Sequence, residues 1–220
     1  MSLAPDRATV ARRARAHLRK VDPVLARVID AVGPYRPTDR TAGSHFGALI
    51  RAIVFQQLSG KAATTIHNRF LDLYPDRSPT PRDIIATSDE QLRAVGLSRQ
   101  KIGYLRDLAA KVDSGALPLD HVESLEDAEL IAHLIQVKGI GKWTAQMFLM
   151  FKLGRADVLP DLDLGIQNAI KRAYRKKKCA PRDVLRIGAR WSPYSSIACW
   201  YLWRSLDNGG GQLGAEKKKS

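Results

Sequence analysis

The chain has 220 residues, 45% hydrophobic and 26% charged, ordinary proportions for a globular protein with a real core. Its 36 lysines and arginines against 22 acids leave a net charge of +14, which points to a polyanionic partner, most simply nucleic acid. Two cysteines, Cys179 and Cys199, are too few for a disulfide scaffold, a four-cysteine zinc site or an iron–sulfur cluster. No apolar leader follows Met1, and no apolar run reaches the roughly 18 residues of a membrane span. These features fit a reduced, intracellular protein with no membrane contact; the expectation for it is a cytoplasmic, nucleoid-associated monomer with no metal and no cofactor.

Residues 7–32 read as helix interrupted at Asp22-Pro23, because proline is tolerated in a first helical turn. Arg12, Arg13, Arg15, Arg19 and Lys20 give that helix a basic face, for which simple solvation and a DNA contact are equally open readings. Residues 33–41, with two prolines, form a loop. Phe46, Leu49, Ile50, Ile53 and Val54 then recur at helical spacing in a segment running to Gln57. Ser59 stands as the N-cap of a helix to about Leu73. Thr80-Pro81 opens a short helix, Ser88 and Gln91 have capping-box spacing for another, and Gly96 ends it. Residues 98–112 are amphipathic, with Ile102, Leu105, Leu108 and Ala109 on one face, and Ser124 and Asp127 open the next helix.

Val137-Lys138-Gly139-Ile140-Gly141 is too short and glycine-rich for helix, yet helical patterns flank it: Leu130, Leu134 and Val137 before, Thr144, Phe148 and Phe151 after. Gly139 and Gly141 can take positive φ and leave no side chain between backbone and ligand. The amides at the following helix N-terminus suit an anionic phosphate. By itself such a turn fits an ordinary connection between two helices better. Helices follow at about 164–174, from Pro181, and at about 194–206, with the basic run Lys176-Lys177-Lys178 between the first two. Residues 208–220, glycine-rich and then lysine-rich, read as a disordered basic tail. With no strand pattern and no repeat, the fold class is all-α, with roughly eight to ten short helices.

Five stretches, in order, carry a resemblance. They are Phe55-Gln56-Gln57-Leu58-Ser59-Gly60-Lys61-Ala62-Ala63, Gly96-Leu97-Ser98-Arg99-Gln100-Lys101, the glycine hairpin, Asp163-Leu164-Gly165-Ile166, and Trp191-Ser192-Pro193-Tyr194 followed by Trp200-Tyr201-Leu202-Trp203. Together they resemble the helix-hairpin-helix DNA glycosylase superfamily, and within it the 3-methyladenine DNA glycosylase II branch, over about residues 44–205. The resemblance implies two helical subdomains flanking a DNA-binding, base-accepting cleft. Residues 44–153 would form the central subdomain, and residues 1–43 with 154–207 the second.

The activity implied is hydrolysis of the bond between an alkylated purine and deoxyribose, in double-stranded DNA whose damaged base has been flipped into a pocket. In this reading Asp163 is the catalytic carboxylate, stabilising the developing sugar cation and orienting or deprotonating water. A helix N-cap is the plain alternative for it, and Asp161 is a rival two residues earlier. Trp143, Trp203, Met147 and Tyr104 are the expected base-pocket residues, because a cationic purine gains about 0.5–2 kcal/mol on an aromatic face. Tyr201 is a further candidate, whereas Trp200 reads as core. The expected DNA contacts are Gln56, Gln57, Ser59, Lys61, Lys138, Gly139, Gly141, Lys142 and Thr144. Superfamily members that also cleave the strand resemble one another in carrying a lysine just before the hairpin's Thr-Ala, where this chain has Trp143. A monofunctional enzyme is therefore implied, for 3-methyladenine and 7-methylguanine, with hypoxanthine or etheno-adenine as poorer substrates. Ser195 departs from the arginine common at its position. The alternative is a non-catalytic hairpin module that senses damaged DNA structure.

Overall fold

The computed structural model describes residues 7–37 and 43–207; the tail expected at 208–220 lies outside them. The chain enters on α1 (Arg7–Val21) and α2 (Pro23–Val32). It then runs through α3 (His45–Phe55), α4 (Gly60–Leu71), α5 (Pro81–Ala86), α6 (Asp89–Ala94), α7 (Arg99–Asp113), α8 (Asp127–Leu134) and α9 (Lys142–Phe151). It finishes on α10 (Leu164–Ala173), α11 (Pro181–Gly188) and α12 (Ser195–Asp207). No strand occurs among the described residues. The chain divides into two compact units, Met1–Asp39 with Arg155–Ser220, and Arg40–Gly154.

Twelve α-helices among the described residues exceed the expected eight to ten. All twelve correspond to segments that read as helix in the sequence, and the two shortest stand alone because they are capped at both backbone and side-chain level. Thr80 with Asp83, and Ser88 with Gln91, form reciprocal capping boxes that allow two six-residue helices, α5 and α6, in quick succession. The start of α8 is also corrected. Ser124 does not open α8: its Oγ donates to His121 O at 2.8 Å, and Glu126 is the N-cap, without a side-chain hydrogen bond. Turn residues 119–121 have taken the hydroxyl that sequence spacing offered to the helix.

In the unit built from the chain's two ends, α1, α2, α10 and α12 pack on one another around Leu18, Leu25, Ile29, Ile166, Ile170 and Leu202, all fully buried. Each such side chain contributes about 1.5–3 kcal/mol on burial. The break between α1 and α2 is organised by Asp22, which has no exposure. Its Oδ1 accepts from Val24 N and Leu25 N, both at 3.0 Å. Its Oδ2 accepts from Trp191 Nε1 at 2.9 Å and from the Tyr174 hydroxyl. A buried carboxylate is tolerable only when its lone pairs are occupied this fully. Burial, and then Asp22 itself, push the Tyr174 hydroxyl well above its ordinary pKa, so it stays a donor.

In the other unit α7 is the pillar, packed against α3, α5 and α6 through Ile102, Leu105, Leu108 and Ala109. Arg106 on its flank donates to Ile84 O, Ile85 O and Thr87 O, covering the carbonyls left over at the end of α5. Ser59 caps α4 as expected, accepting from Ala62 N at 3.4 Å. The α3 helix ends at Phe55, earlier than the periodicity implies, since Gln56 has ψ 133° and Gln57 has φ 56°.

Candidate active site

The glycine hairpin joins α8 to α9. Gly139 has φ +82°, and a Cβ there would lie 2.2 Å from Tyr104 Cδ2, so both backbone and space demand glycine. Gly141 has φ −93° and needs no left-handed freedom; a Cβ on it would meet nothing within 4 Å. What Gly141 leaves is open room beside the backbone. It is the N-cap of α9 and supplies no side-chain hydrogen bond, whereas Ser44, Ser59 and Ser98 do so for α3, α4 and α7. The positive end of α9 is therefore not covered by a cap of its own, and Lys138 and Lys142 stand exposed on either side of the turn. Trp143 is 45% exposed on the first turn of α9, and Met147 is half-buried one turn further on. Thr144, between them, turns a buried side chain inward, so any ligand would meet its backbone.

Three contacts hold the hairpin. Asp107 Oδ2 accepts from Lys138 N at 2.8 Å, and Lys111 Nζ lies 2.7 Å from both Asp107 oxygens. Burial is the largest influence on the Asp107 carboxyl and raises its pKa. The hydrogen bonds and charges of Lys111 and Lys138 together outweigh it, so the pKa lies below the ordinary carboxylate value. Gln56 Nε2 donates to Gly139 O at 2.7 Å. Tyr104, placed in the base pocket by sequence, has its ring against Gly139 and accepts at its hydroxyl from Gln100 Nε2 at 2.6 Å. Of the two glutamines, Gln56 is thus engaged within the protein, and Gln57 is exposed in a left-handed conformation costing about 1–2 kcal/mol for a residue with a Cβ. Leu58, Ser59 and Lys61 follow it, all exposed.

In the other unit, Asp163 is the N-cap of α10. Its Oδ1 accepts from Ile166 N at 2.8 Å and from Trp203 Nε1 at 3.0 Å, and the residue is 8% exposed. The cap reading is correct as far as it goes, and the indole bond adds to it. Gly165 makes the second bond possible: a Cβ there would lie 3.0 Å from both Asp163 Oδ1 and Trp203 Cδ1. Cys199, one turn before Trp203, is fully buried; burial and then the Asp163 charge push its thiol well up, so it is an inert neutral neighbour. Asp161 is also buried, and its carbonyl receives Gln167 Nε2 at 3.0 Å.

The remaining aromatic and hydroxyl positions sort themselves by depth. Tyr201 is fully buried, with its hydroxyl 3.3 Å from Gly33 O. Trp200, expected in the core, is instead half-buried, edge-on to Tyr35 at 4.8 Å with the Arg204 guanidinium 5.6 Å from its ring. It falls on the outer side of α12, where Tyr35, Tyr201 and a cation cover it. Ser195 Oγ and N donate to Asp157 Oδ1 at 2.6 and 3.1 Å, and Ser192 Oγ to Oδ2 at 2.5 Å. Where an arginine was the common residue, a serine fits against a carboxylate.

A helix, a glycine turn whose next helix is left without a side-chain cap, and an aspartate capping a later helix define a class. The chain belongs to the HhH-GPD superfamily of base excision DNA repair proteins, whose pattern it matches over residues 50–193. It is 38% identical over 197 residues to DNA-3-methyladenine glycosylase 1 of Schizosaccharomyces pombe, spanning 88% of this chain and 86% of that protein. The S. pombe 3-methyladenine DNA glycosylase solved in complex with abasic DNA matches with a TM-score of 0.78, over 87% of this chain and 95% of that one, at 38% identity. A DNA-3-methyladenine glycosidase from Bacillus halodurans matches with a TM-score of 0.80 and 36% identity, over 90% and 89% of the two chains. Among the described residues no helix is long and apolar enough to cross a membrane.

Proposed function

We propose that the chain is a monofunctional DNA glycosylase that releases alkylated purines, foremost 3-methyladenine and 7-methylguanine, from double-stranded DNA. The observation that carries this is the Asp163 carboxylate, fixed at the start of α10 by Ile166 N and Trp203 Nε1, in a chain 38% identical to a named 3-methyladenine glycosylase. One chain supplies both the hairpin and the carboxylate, so a monomer suffices.

The chemistry follows from the leaving group. An N3- or N7-alkylated purine is already cationic, so when its bond to C1′ breaks, the electron pair neutralises the base and no acid is required. Positive charge passes to the sugar, and a preorganised carboxylate stabilises it. Water then bonds to C1′ and gives up a proton, with Asp163 as the acceptor, leaving an abasic sugar. The hairpin holds the strand: the amides of Gly139, Gly141 and the first turn of α9 take a phosphate, with Lys138 and Lys142 adding charge. Trp143 with Met147, on α9, and Trp203, beside Asp163, are assigned to contact with the base; Gln57, backed by Ser59 and Lys61, fills the gap that the base leaves. Tyr104 acts from behind, through Gly139. Residue 143 carries an indole where strand-cleaving relatives carry an amine, so no Schiff base forms and the strand stays intact.

The experiment is base release from a duplex containing 7-methylguanine, with strand integrity followed before and after alkali. Wild-type protein should free the base and leave alkali-labile but unbroken strands. Asp163→Asn should keep its helix cap, since Asn caps as well as Asp, and lose about 100-fold or more in single-turnover rate. No free base from the wild type would leave a DNA-binding module in place of an enzyme.

A further inference from the structure

The side chain of Lys101 reaches from α7 to the end of α3. Its Nζ lies 2.6 Å from Val54 O and 2.8 Å from Gln56 O, carbonyls at the C-terminal end of α3. Lys101 itself stands in the first turn of α7, where a cation opposes its own helix dipole. The same charge is favourable at the end of α3, where it meets the dipole's negative pole and its unpaired carbonyls. Burial lowers the pKa of this ammonium, as expected for a charge drawn out of water to reach carbonyls.

The next link is Gln56, which has its carbonyl on Lys101 and its side-chain amide on Gly139 O. Directly after it, Gln57 is exposed at φ 56°. From the same side of α7, at three-residue spacing, Tyr104 fills the space beside Gly139 and Asp107 takes the Lys138 N–H. Positions 101, 104 and 107 therefore touch the loop at 56–58 or the hairpin, and the loop and hairpin touch each other. Arg106 on α7 also covers helix-end carbonyls, but those of α5, and it reaches neither the loop nor the hairpin.

We infer that Lys101 is a positioning residue that locks the loop at 56–58 to the hairpin and holds Gln57 out for insertion into DNA at the lesion. The assignment rests on the reading of Gln57 proposed above.

Two measurements on the full chain test it. In the free protein, backbone 15N order parameters at Gln57 and Leu58 should fall below about 0.6 in Lys101→Met and remain near the rigid value of about 0.85 in Arg106→Met. For binding to a duplex with a tetrahydrofuran abasic site, Lys101→Met should weaken affinity about tenfold in the wild-type background, but less than about twofold beside Gln57→Ala. Arg106→Met should have the same effect in both backgrounds. Unchanged order parameters, or a Lys101→Met loss equal in the two backgrounds, would overturn the inference and leave Lys101 as scaffold. If Lys101→Met does not fold, Lys101→Arg, which keeps the charge and moves the donors, carries the same cycle. A wild type that binds the abasic duplex no better than an undamaged one removes the reading of Gln57, and the order parameters then decide whether Lys101 orders the loop.

Discussion

Asp163 Oδ1 serves a helix backbone and an indole together, and the two partners separate by substitution. Trp203→Phe keeps an aromatic wall and removes the N–H 3.0 Å from the carboxylate. A hydrogen bond to a charged group contributes about 1.5–3 kcal/mol, so kcat should drop about 10- to 100-fold while KM stays within about twofold. Steady-state base release over a range of 7-methylguanine duplex concentrations measures this. An equal rise in KM with unchanged kcat would assign Trp203 to binding alone. Gly165 was visible in the sequence only as a landmark two residues beyond Asp163. The structure makes it the space into which the indole reaches.

At the scale of elements, the hairpin depends on a carboxylate that the sequence did not single out. Asp107 is one of many acids on amphipathic helices, and nothing in its spacing announces that it takes the N–H of Lys138 in another segment. Its pKa is depressed in the folded state, so the stability it contributes is fully present above the ordinary carboxylate pKa of about 3.9. That contribution is lost as pH falls through the lower folded value. The protection of the Lys138 amide against hydrogen exchange, relative to its intrinsic rate at each pH, should therefore fall in acid more than that of amides in the core of α7, and Asp107→Asn should abolish the difference. Lys101 left a fainter trace: a lysine in a helix's first turn runs against the dipole, and such a misfit can signal service to a neighbouring helix.

For the whole molecule, two forces are open to direct measurement. The first is the Asp22 network, where one buried carboxylate serves α2, Tyr174 and Trp191. Asp22→Ala would strand those donors and should cost about 3–5 kcal/mol in urea unfolding. A loss under about 1 kcal/mol would mean the donors find other partners. The second is the net charge of +14. If its lysines and arginines neutralise phosphates, the logarithm of affinity should fall with the logarithm of salt at a slope of about −3 or steeper, corresponding to several displaced counterions. Fluorescence anisotropy between about 50 and 200 mM salt gives that slope.

Local patterns in the chain were enough for the helical class, the caps at Ser59, Thr80 and Ser88, and the hairpin turn, because each depends on residues within one or two turns of one another. The aspartate that heads α10 was legible for the same reason. Tertiary structure alone decided which indole meets Asp163, that Gln56 is tied to Gly139 while Gln57 is exposed, that Tyr104 and Asp107 support the hairpin, and that Lys101 reaches the end of α3. These contacts join residues 31 to 83 positions apart. Whether such a pair meets is set by how apolar faces pack, and helical periodicity records which face is buried but not the partner it is buried against.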